Sequence, residues 1–330
     1  MKKKRIKLNK RQVKSIASLI ILAILLLASR FNLDIAQNRT AKSSIQGENT
    51  NNTTRNVVYM QTGDVQENVN LENDNLNILF LYVGQADSTL IKLKDKVMLI
   101  DAGNNEDGMN ISNFLKSEGI SKIDYLVGTH ADEDHIGGLD DIVNELEIGK
   151  IFMPKIGEDA KNYQNVVKAA KKKNLEIENP KIGDKFSIND ANCEIMSVQN
   201  EGDYSDNNSS IVIQMNYGKT KYLFMGDAEK EIENSRKWES IDVLKVGHHG
   251  SNTSSSESFL EQVKPHYAVI EVGKNNSYRL PNKYTISRIE KIGATILRTD
   301  TNKTSFYIKS DGNEISESEV KIDLDGNKSK

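Results

Sequence analysis

The sequence predicts an α/β protein made of two βα halves that pack face to face, with the helices on the outside. Apolar strand segments come first, at Leu76–Val83, Thr89–Leu93 and Val97–Ile100, and then alternate with helical segments such as Met109–Glu118. The same order of strands and then helices returns in the second half of the chain. Because strands that alternate with helices form sheets covered by helices, this repeated order indicates a layered α/β fold.

The remaining elements follow from the same patterns in chain order. The first half also contains predicted strands at Ile123–Val127 and Ile151–Met153 and predicted helices at Leu139–Leu146 and Tyr163–Lys173. The second half contains predicted strands at Phe186–Val198, Ser210–Tyr217, Tyr222–Met225, Ile241–Val246, Tyr267–Val272, Thr295–Arg298 and Thr304–Lys309, and predicted helices at Phe259–Val263 and Tyr284–Ile292.

Residues 1–30 have the pattern of a signal peptide or signal anchor. The Met1–Lys14 segment is strongly basic, and Ile16–Ala28 follows as a nearly continuous apolar run. The run is shorter than the roughly 20 residues of an ideal spanning helix, and no clean cleavage site follows it, which favours an uncleaved anchor. By the positive-inside rule, the rest of the chain is expected at the extracellular face of a bacterial membrane, or secreted if the segment is cleaved.

Three further segments complete the predicted domain organisation. Residues 31–75 are polar with little periodicity and predict a disordered linker. The globular body is expected at residues 76–313, and a loose acidic tail at residues 314–330. Residues 31–330 carry 35 basic and 47 acidic side chains, a formal charge of −12. Such an acidic body argues against broad electrostatic capture of nucleic acid.

The segment Thr129–Gly138 is the densest group of ionisable side chains in the chain. Its central part, His130–His135, holds two histidines and three carboxylates between an apolar strand and a Gly-Gly pair. These groups would repel one another unless a cation lay among them, and imidazole with carboxylate suits a transition-metal dication. Cys193 is the single cysteine, so a cysteine-based zinc site and an intramolecular disulfide are both excluded.

Polar clusters also follow several other predicted strands. The loops at strand ends converge in layered α/β folds, so a series of such clusters indicates one shared site. Four of the five histidines fall in two of them. The clusters are Asp101-Ala102-Gly103, the His130–His135 loop, Asn207-Asn208-Ser209-Ser210, Gly226-Asp227-Ala228 and Gly247-His248-His249-Gly250-Ser251.

With these motifs in this order, the sequence resembles the metallo-β-lactamase superfamily. Within that superfamily it looks like the ComEC competence-protein branch, whose hydrolase domain carries a His-x-Asp-x-Asp-His motif. The resemblance spans roughly residues 76–310 and includes Val83–Ser88, Leu99–Gly103, Leu244–Ser251 and Val272–Asn276. It implies a four-layer αβ/βα sandwich that holds two divalent metal ions, zinc or manganese, between its sheets.

The resemblance also implies the metal ligands. His130 and Asp132 would bind one metal, Asp134 and His135 would bind the other, and Asp227 would bridge them. Asp134 is expected to take part in catalysis as well as in metal binding.

The other site residues follow from the same resemblance. The last histidine ligand would come from the His248–His249 pair, with His248 preferred and His249 left to donate to the substrate. Asp101 would support the metal-binding loop from outside the metal shell. Asn208 and Arg279 would contact the substrate or support the ligands.

Two departures from the family pattern carry expectations of their own. Asp132 stands where the wider superfamily usually has histidine, which favours manganese as well as zinc. The branch commonly reads Tyr-x-His-Pro where this chain has Tyr278-Arg279-Leu280-Pro281. Leu280 cannot bind a metal, so either one metal site is weak or Arg279 takes over the binding of an anion.

The expected function is that of an exported or membrane-anchored metal-dependent hydrolase. The resemblance implies two metals about 3.5–4 Å apart that share a hydroxide and clamp a phosphoryl group. The substrate would then be DNA or another phosphodiester, and no obligate protein partner is evident from the sequence. One alternative is a hydrolase of another ester, of the phosphocholine or lactone type, which the acidic body favours over DNA. Another is a degenerate metal-binding surface module, which only Leu280 supports.

Overall fold

A computed structural model describes residues 57–66, 69–202, 205–322 and 324, with side chains omitted from residues 61–66. Its strands form two mixed sheets. In chain order they are β1 (Val58–Gln66), β2 (Leu76–Phe80), β3 (Thr89–Leu93), β4 (Lys96–Ile100), β5 (Lys122–Val127), β6 (Glu147–Phe152), β7 (Ile177–Glu178), β8 (Lys185–Ile188), β9 (Ala191–Ser197), β10 (Val212–Tyr217), β11 (Thr220–Phe224), β12 (Val243–Lys245), β13 (Tyr267–Ile270), β14 (Thr295–Arg298), β15 (Ser305–Ser310) and β16 (Glu314–Val320).

The helices lie between these strands in the sequence. They are α1 (Gly108–Ser117), α2 (Glu133–Ile136), α3 (Leu139–Glu145), α4 (Lys161–Lys172), α5 (Lys230–Asn234), α6 (Glu257–Val263) and α7 (Lys283–Lys291), and two short 3-10 turns cover Asn207–Ser209 and His248–Gly250. In the described part of the chain, the first sheet has the strand order β1-β16-β15-β2-β3-β4-β5-β6-β7, and the second has the order β14-β13-β12-β11-β10-β9-β8.

The core forms three apolar layers, which explains why both sheets need a cover of helices. Successive side chains of a strand point to opposite faces, so Ile78 and Phe80 of β2 pack between the two sheets. Leu79, from the same strand, joins the layer that includes Ile111 of α1. Phe259 of α6 belongs to the third layer, outside the second sheet. The predicted four-layer αβ/βα sandwich is therefore confirmed.

The register of the parallel strands places the polar loops at one edge. β4 runs parallel to β5 with Ile100 opposite Val127, and β11 runs parallel to β12 with Phe224 opposite Lys245. Each pair therefore ends at the same height, and the loops that follow lie side by side. These loops carry the Asp101, His130–His135, Asp227 and His248–His249 clusters.

The predicted loose tail at residues 314–330 is wrong for Glu314–Val320. This segment is β16, which pairs with β15 on one side and with β1 on the other. Ile315 and Val320 are buried. The acidic residues between them obscured a strand that both of its neighbours hold in place. Residues 323 and 325–330 lie outside the described residues.

The predicted disordered linker at residues 31–75 is also wrong in part, because Val58–Gln66 forms β1. This strand adds to the edge of the first sheet through parallel pairing with β16. The ring of Tyr59 stacks on His266 with 3.7 Å between the ring centroids. Residues 31–56 and the predicted signal segment at residues 1–30 lie outside the described residues. Within the described residues, no helix combines the length and the apolar character needed to cross a membrane.

Candidate metal centre

Loops from both sheets bring the predicted ligands together at one end of the sandwich. His130, His135 and Asp227 present ligand atoms that all lie within 4.8 Å of one another, and so do Asp134, His135 and His249. All of these residues are buried except Asp134, which is partly exposed. The two groups share His135, and Asp227 of the first group lies 3.7 Å from His249 of the second.

Asp101 fixes the orientation of His135. The Asp101 carboxylate accepts hydrogen bonds from the backbone nitrogen and the hydroxyl of Thr129, each at 2.8 Å. It also lies 2.8 Å from Nδ1 of His135. The carboxylate can only accept there, so Nδ1 carries the proton and Nε2 keeps its lone pair for a metal. Asp101 therefore supports the ligand loop as the sequence predicts.

Asp227 lies among the ring nitrogens of the clustered histidines. Its Oδ1 is 3.3 Å from Nε2 of His135, and its Oδ2 is 4.0 Å from Nε2 of His130. Gly226 turns the chain into this position with a φ of +53°, and a side chain there would come within 3.0 Å of Thr129. The backbone nitrogen of Asp227 donates to the Ser210 hydroxyl at 3.0 Å. Asp227 is thus held between the two groups of ligands.

Asp132 and His130 form the more open side of the cluster. Oδ2 of Asp132 lies 3.5 Å from Nε2 of His130, and the Asp132 side chain is 45% exposed. Asp132 precedes the first residue of α2 and has an extended backbone, so its carboxylate stays outside the helix. An open carboxylate beside a buried imidazole leaves room for a ligand from solvent.

The sequence favours His248 of the His248–His249 pair as the ligand, and the structure places the buried His249 in the ligand cluster. Nδ1 of His249 lies 2.9 Å from the carbonyl oxygen of Glu271, so it carries the proton. Nε2 then lies 3.2 Å from Asp134 and 3.7 Å from Asp227. His248 is 25% exposed, its Nδ1 lies 3.2 Å from Glu229, and its Nε2 lies 3.7 Å from Oδ2 of Asp227. Both histidines have left-handed backbones, with φ of +50° and +48°.

The cluster fits metal ions because its buried atoms have no other partner. Nε2 of His130, Nε2 of His135, Nε2 of His249 and Oδ1 of Asp227 are all buried without a hydrogen bond. Buried polar atoms are normally satisfied, and an unpaired one is costly. Four such atoms that converge from histidine and aspartate form a donor set for divalent metal ions.

Comparison with known proteins places this arrangement in a family. The model of the metallo-beta-lactamase superfamily matches residues 81–273, which include every residue of the cluster. The chain belongs to the metallo-beta-lactamase superfamily. Together with the ligand cluster, this membership makes the protein a metal-dependent hydrolase, as the sequence predicts.

Curated relatives of this metallo-beta-lactamase protein come from several bacteria. ComE operon protein 3 of Bacillus subtilis is 36% identical over 198 residues, which cover 59% of this chain and 26% of the relative. Recombination protein 2 of Haemophilus influenzae is 32% identical over 226 residues, covering 66% of this chain and 27% of the relative. The chain thus spans about a quarter of the length of these relatives. The expected likeness to the ComEC competence-protein branch is confirmed.

A solved structure supports the fold of this superfamily member. The metallo-beta-lactamase fold protein YhfI from Bacillus subtilis superposes with a TM-score of 0.51 over 71% of this chain and 100% of its own. The two sequences are 9% identical, so the likeness concerns the fold alone.

The buried carboxylates of this superfamily site control the protonation of its histidines in the absence of metal. Burial by itself lowers the pKa of His249, but the charges of Asp227 and Asp87 raise it to about 10. Burial likewise opposes protonation of His135, yet Asp227 and Asp101 raise its pKa well above the ordinary value. Without metal, protonated histidines therefore balance the carboxylates at neutral pH.

We expect metal binding to release protons, because a metal-bound imidazole must be neutral. At pH 7.5, titration calorimetry with Zn²⁺ in buffers of different ionisation enthalpy should show up to two protons released from His135 and His249. Metal affinity should rise with pH towards about 10, where His249 loses its proton. A binding enthalpy that is independent of the buffer would contradict this expectation.

The structure does not bring every predicted residue to the metal cluster. Asn208 is buried, and its side-chain oxygen accepts from the backbone nitrogen of Glu229 at 3.0 Å, so it supports the loop after Asp227. Among the described residues, the Arg279 side chain has no hydrogen bond or ion pair. Leu280 packs against the third apolar layer, so its side chain takes part in the core rather than in the site.

Sequence reasoning missed three buried ionisable residues beside the site, Asp87, Lys245 and Glu271. Oδ2 of Asp87 lies 2.6 Å from Nζ of Lys245, and its Oδ1 lies 3.1 Å from Nδ1 of His249. The available signal was a charged residue inside or just after an otherwise apolar strand: Lys245 in the run Val243–Val246, and Glu271 after β13. Such residues are rarely buried unless they are paired.

Proposed function

We propose that this metal-dependent hydrolase is a phosphodiesterase with a two-metal centre. The observation that carries the proposal is the position of Asp227. Its Oδ1 lies 3.3 Å from Nε2 of His135, while its Oδ2 lies 4.0 Å from Nε2 of His130 and 3.7 Å from Nε2 of His249. A carboxylate that faces two sets of ligands suits a pair of dications, and paired dications are typical of enzymes that cleave phosphate esters.

The proposed assignment of ligands combines the two groups with the contact between Asp132 and His130. His130 and Asp132 would hold one ion, and Asp227 would be shared. The second ion would be held by Asp134, His135 and His249. When bound, the two ions supply a water-derived nucleophile at neutral pH and stabilise negative charge on a phosphoryl group.

The protein residues around the ligands have distinct tasks in this proposal. Asp101 and the Glu271 carbonyl keep the Nδ1 protons of His135 and His249 in place, so both Nε2 atoms face the ions. Partly exposed His248 lies at the mouth of the site, with Nε2 3.7 Å from Asp227. We assign His248 to contact with the substrate rather than to metal binding.

The ligand chemistry favours a phosphodiester among the possible esters. Asp132, Asp134 and Asp227 make the site rich in oxygen, and such sites prefer harder cations, manganese included, which also bind phosphoryl oxygens well. The likeness to Recombination protein 2 makes a nucleic-acid strand our first candidate substrate. A second candidate is a small ester, because a charge of −12 over residues 31–330 disfavours a long polyanion.

The test is a substrate panel combined with metal analysis of the purified full-length chain. We expect about two equivalents of Zn²⁺ or Mn²⁺ and hydrolysis of bis(p-nitrophenyl) phosphate, with single-stranded DNA and a lactone as competing substrates. Asp132→Ala should abolish hydrolysis. Asp190→Ala is the matched control, because Asp190 is an exposed carboxylate that pairs with Lys94 at the surface. Metal-loaded protein that cleaves the lactone but neither phosphodiester would overturn the proposal.

We also propose that the chain is exported with its amino terminus inside the cell. The support is the basic Met1–Lys14 segment followed by the apolar run Ile16–Ala28. Protease added to intact spheroplasts should degrade the hydrolase domain while a cytoplasmic marker stays intact. Recovery of the full-length chain in the soluble cytoplasmic fraction would contradict export.

A further inference from the structure

Lys245 is a buried cation directly behind the proposed metal centre. It is the last residue of β12, its side chain is 3% exposed, and its neighbours in the chain, Leu244 and Val246, are apolar and buried. A buried ammonium group is costly unless it is paired. Nζ of Lys245 has three oxygen neighbours: Asp87 at 2.6 Å, the carbonyl of Val246 at 3.1 Å and Glu271 at 3.9 Å.

Asp87 is the principal partner of Lys245, and it comes from the other sheet. Its loop follows β2, whereas Lys245 ends β12, so the ion pair joins the two halves of the sandwich beside the metal centre. Burial lowers the pKa of Lys245, but Asp87, Glu271 and Asp227 raise it above the ordinary value. The ammonium group therefore keeps its charge at neutral pH.

Asp87 is close enough to the centre to be a metal ligand itself. It forms ligand-like groups with Asp227 and His249, and with Asp101 and His135, in which all ligand atoms lie within 4.8 Å of one another. Yet Asp87 faces the Nδ1 sides of the histidines, at 3.1 Å from His249 and 3.8 Å from His135. The metal-facing nitrogens are the Nε2 atoms on the opposite side of each ring.

We infer that Lys245 is a positioning residue that holds Asp87 out of the metal shell and so determines which carboxylates bind the ions. Oδ2 of Asp87 is engaged by the ammonium group, and Oδ1 lies 3.1 Å from Nδ1 of His249, whose closest acceptor is the Glu271 carbonyl at 2.9 Å. Lys245 also offsets the negative charge that Asp87 would otherwise add behind the ligands. The inference rests on the proposed metal centre, and it extends that proposal to residues outside the ligand set.

A double-mutant cycle on Lys245 and Asp87 tests this inference. Asp87→Asn keeps an oxygen acceptor for His249 but leaves the ammonium group without its main counter-charge, so Zn²⁺ affinity should fall about 10–100-fold. Lys245→Met frees the Asp87 carboxylate, and X-ray absorption at the zinc edge should show an added oxygen ligand. The double variant removes both charges and should bind Zn²⁺ within about threefold of wild type. If Lys245 had only a structural role, metal affinity would not recover in the double variant.

The readouts are Zn²⁺ affinity from chelator competition, metal stoichiometry and the thermal unfolding midpoint of the full-length chain. If Lys245→Met does not fold, the comparison of Zn²⁺ affinity between Asp87→Asn and the double variant still tests the inference. A double variant that binds Zn²⁺ as weakly as Asp87→Asn, or more weakly, overturns the inference. If wild type binds two metals without cleaving phosphodiesters, the proposed phosphodiesterase activity is wrong, but the double-mutant cycle still tests the role of Lys245. If wild type binds no metal, both proposals are overturned.

Discussion

Replacement of Asp227 by asparagine should remove hydrolytic activity almost completely. The carboxylate faces both proposed metal sites, and a neutral amide cannot offset the charge of two dications. We expect phosphodiester turnover to fall by at least about 10³-fold, at the upper end of the range for loss of one electrostatic stabiliser in an active site. Bound metal should fall from two equivalents to one or none, measured by inductively coupled plasma mass spectrometry.

The fold should survive this change, because Asp227 lies in a loop and asparagine has nearly the same shape. Far-ultraviolet circular dichroism and the unfolding midpoint of the metal-free protein check this point. Asp190→Asn provides an exposed carboxylate as the matched control. An Asp227→Asn variant with two bound metals and more than a tenth of wild-type turnover would refute the assignment of Asp227 as the shared ligand.

His249→Ala and His248→Ala should have clearly different effects, although the two residues are adjacent and identical. His249 is buried, and its Nε2 has no hydrogen-bond partner, so its loss should remove the ion held with Asp134 and His135. We expect one metal equivalent less and a loss of turnover of about 10³-fold. His248 is partly exposed, and its Nδ1 lies 3.1 Å from Thr253. Its variant should keep both metals and lose activity chiefly through a higher KM.

The two variants should be measured together, with metal content determined on the same samples as the kinetics. Each variant serves as the control for the other, since the sequence change and the chain position are almost the same. The opposite pattern, with metal lost only from His248→Ala, would restore the preference that the sequence suggested. Equal loss from both variants would mean that the 3-10 turn, rather than one imidazole, determines metal binding.

The choice between these histidines shows where sequence reasoning stops. The Gly247–Ser251 motif indicates that a histidine ligand follows β12. Both candidate histidines have the same chemistry and differ by one position in the chain. In the structure the ring of His249 is buried in the ligand cluster, whereas the His248 side chain is 25% exposed. Such a difference depends on the surrounding contacts, such as the bond from His249 to the Glu271 carbonyl.

The ends of the globular body show a second limit of prediction from sequence. Residues 314–320 are mostly polar, and local composition alone indicates a tail. Their strand exists because β15 and β1 supply hydrogen-bonding partners on both sides. β1 in turn depends on β16 as its partner in the sheet. Which segments pair depends on the assembled sheet. The sequence of a short polar strand therefore contains little information about its partners.

Local patterns in the sequence were enough to predict the layered fold and the family, and they nominated His130, Asp132, Asp134, His135 and Asp227 as ligands. Strand and helix periodicity and the spacing within His130–His135 are local, so the pattern of residues expresses them directly. The folded structure was needed to show where His248, His249, Arg279 and Leu280 lie, and that Lys245 pairs with Asp87 at 2.6 Å. The latter two residues lie in opposite halves of the chain, and only the packing of one sheet on the other creates their ion pair. Distances between segments remote in sequence arise from folding, and no local pattern encodes them.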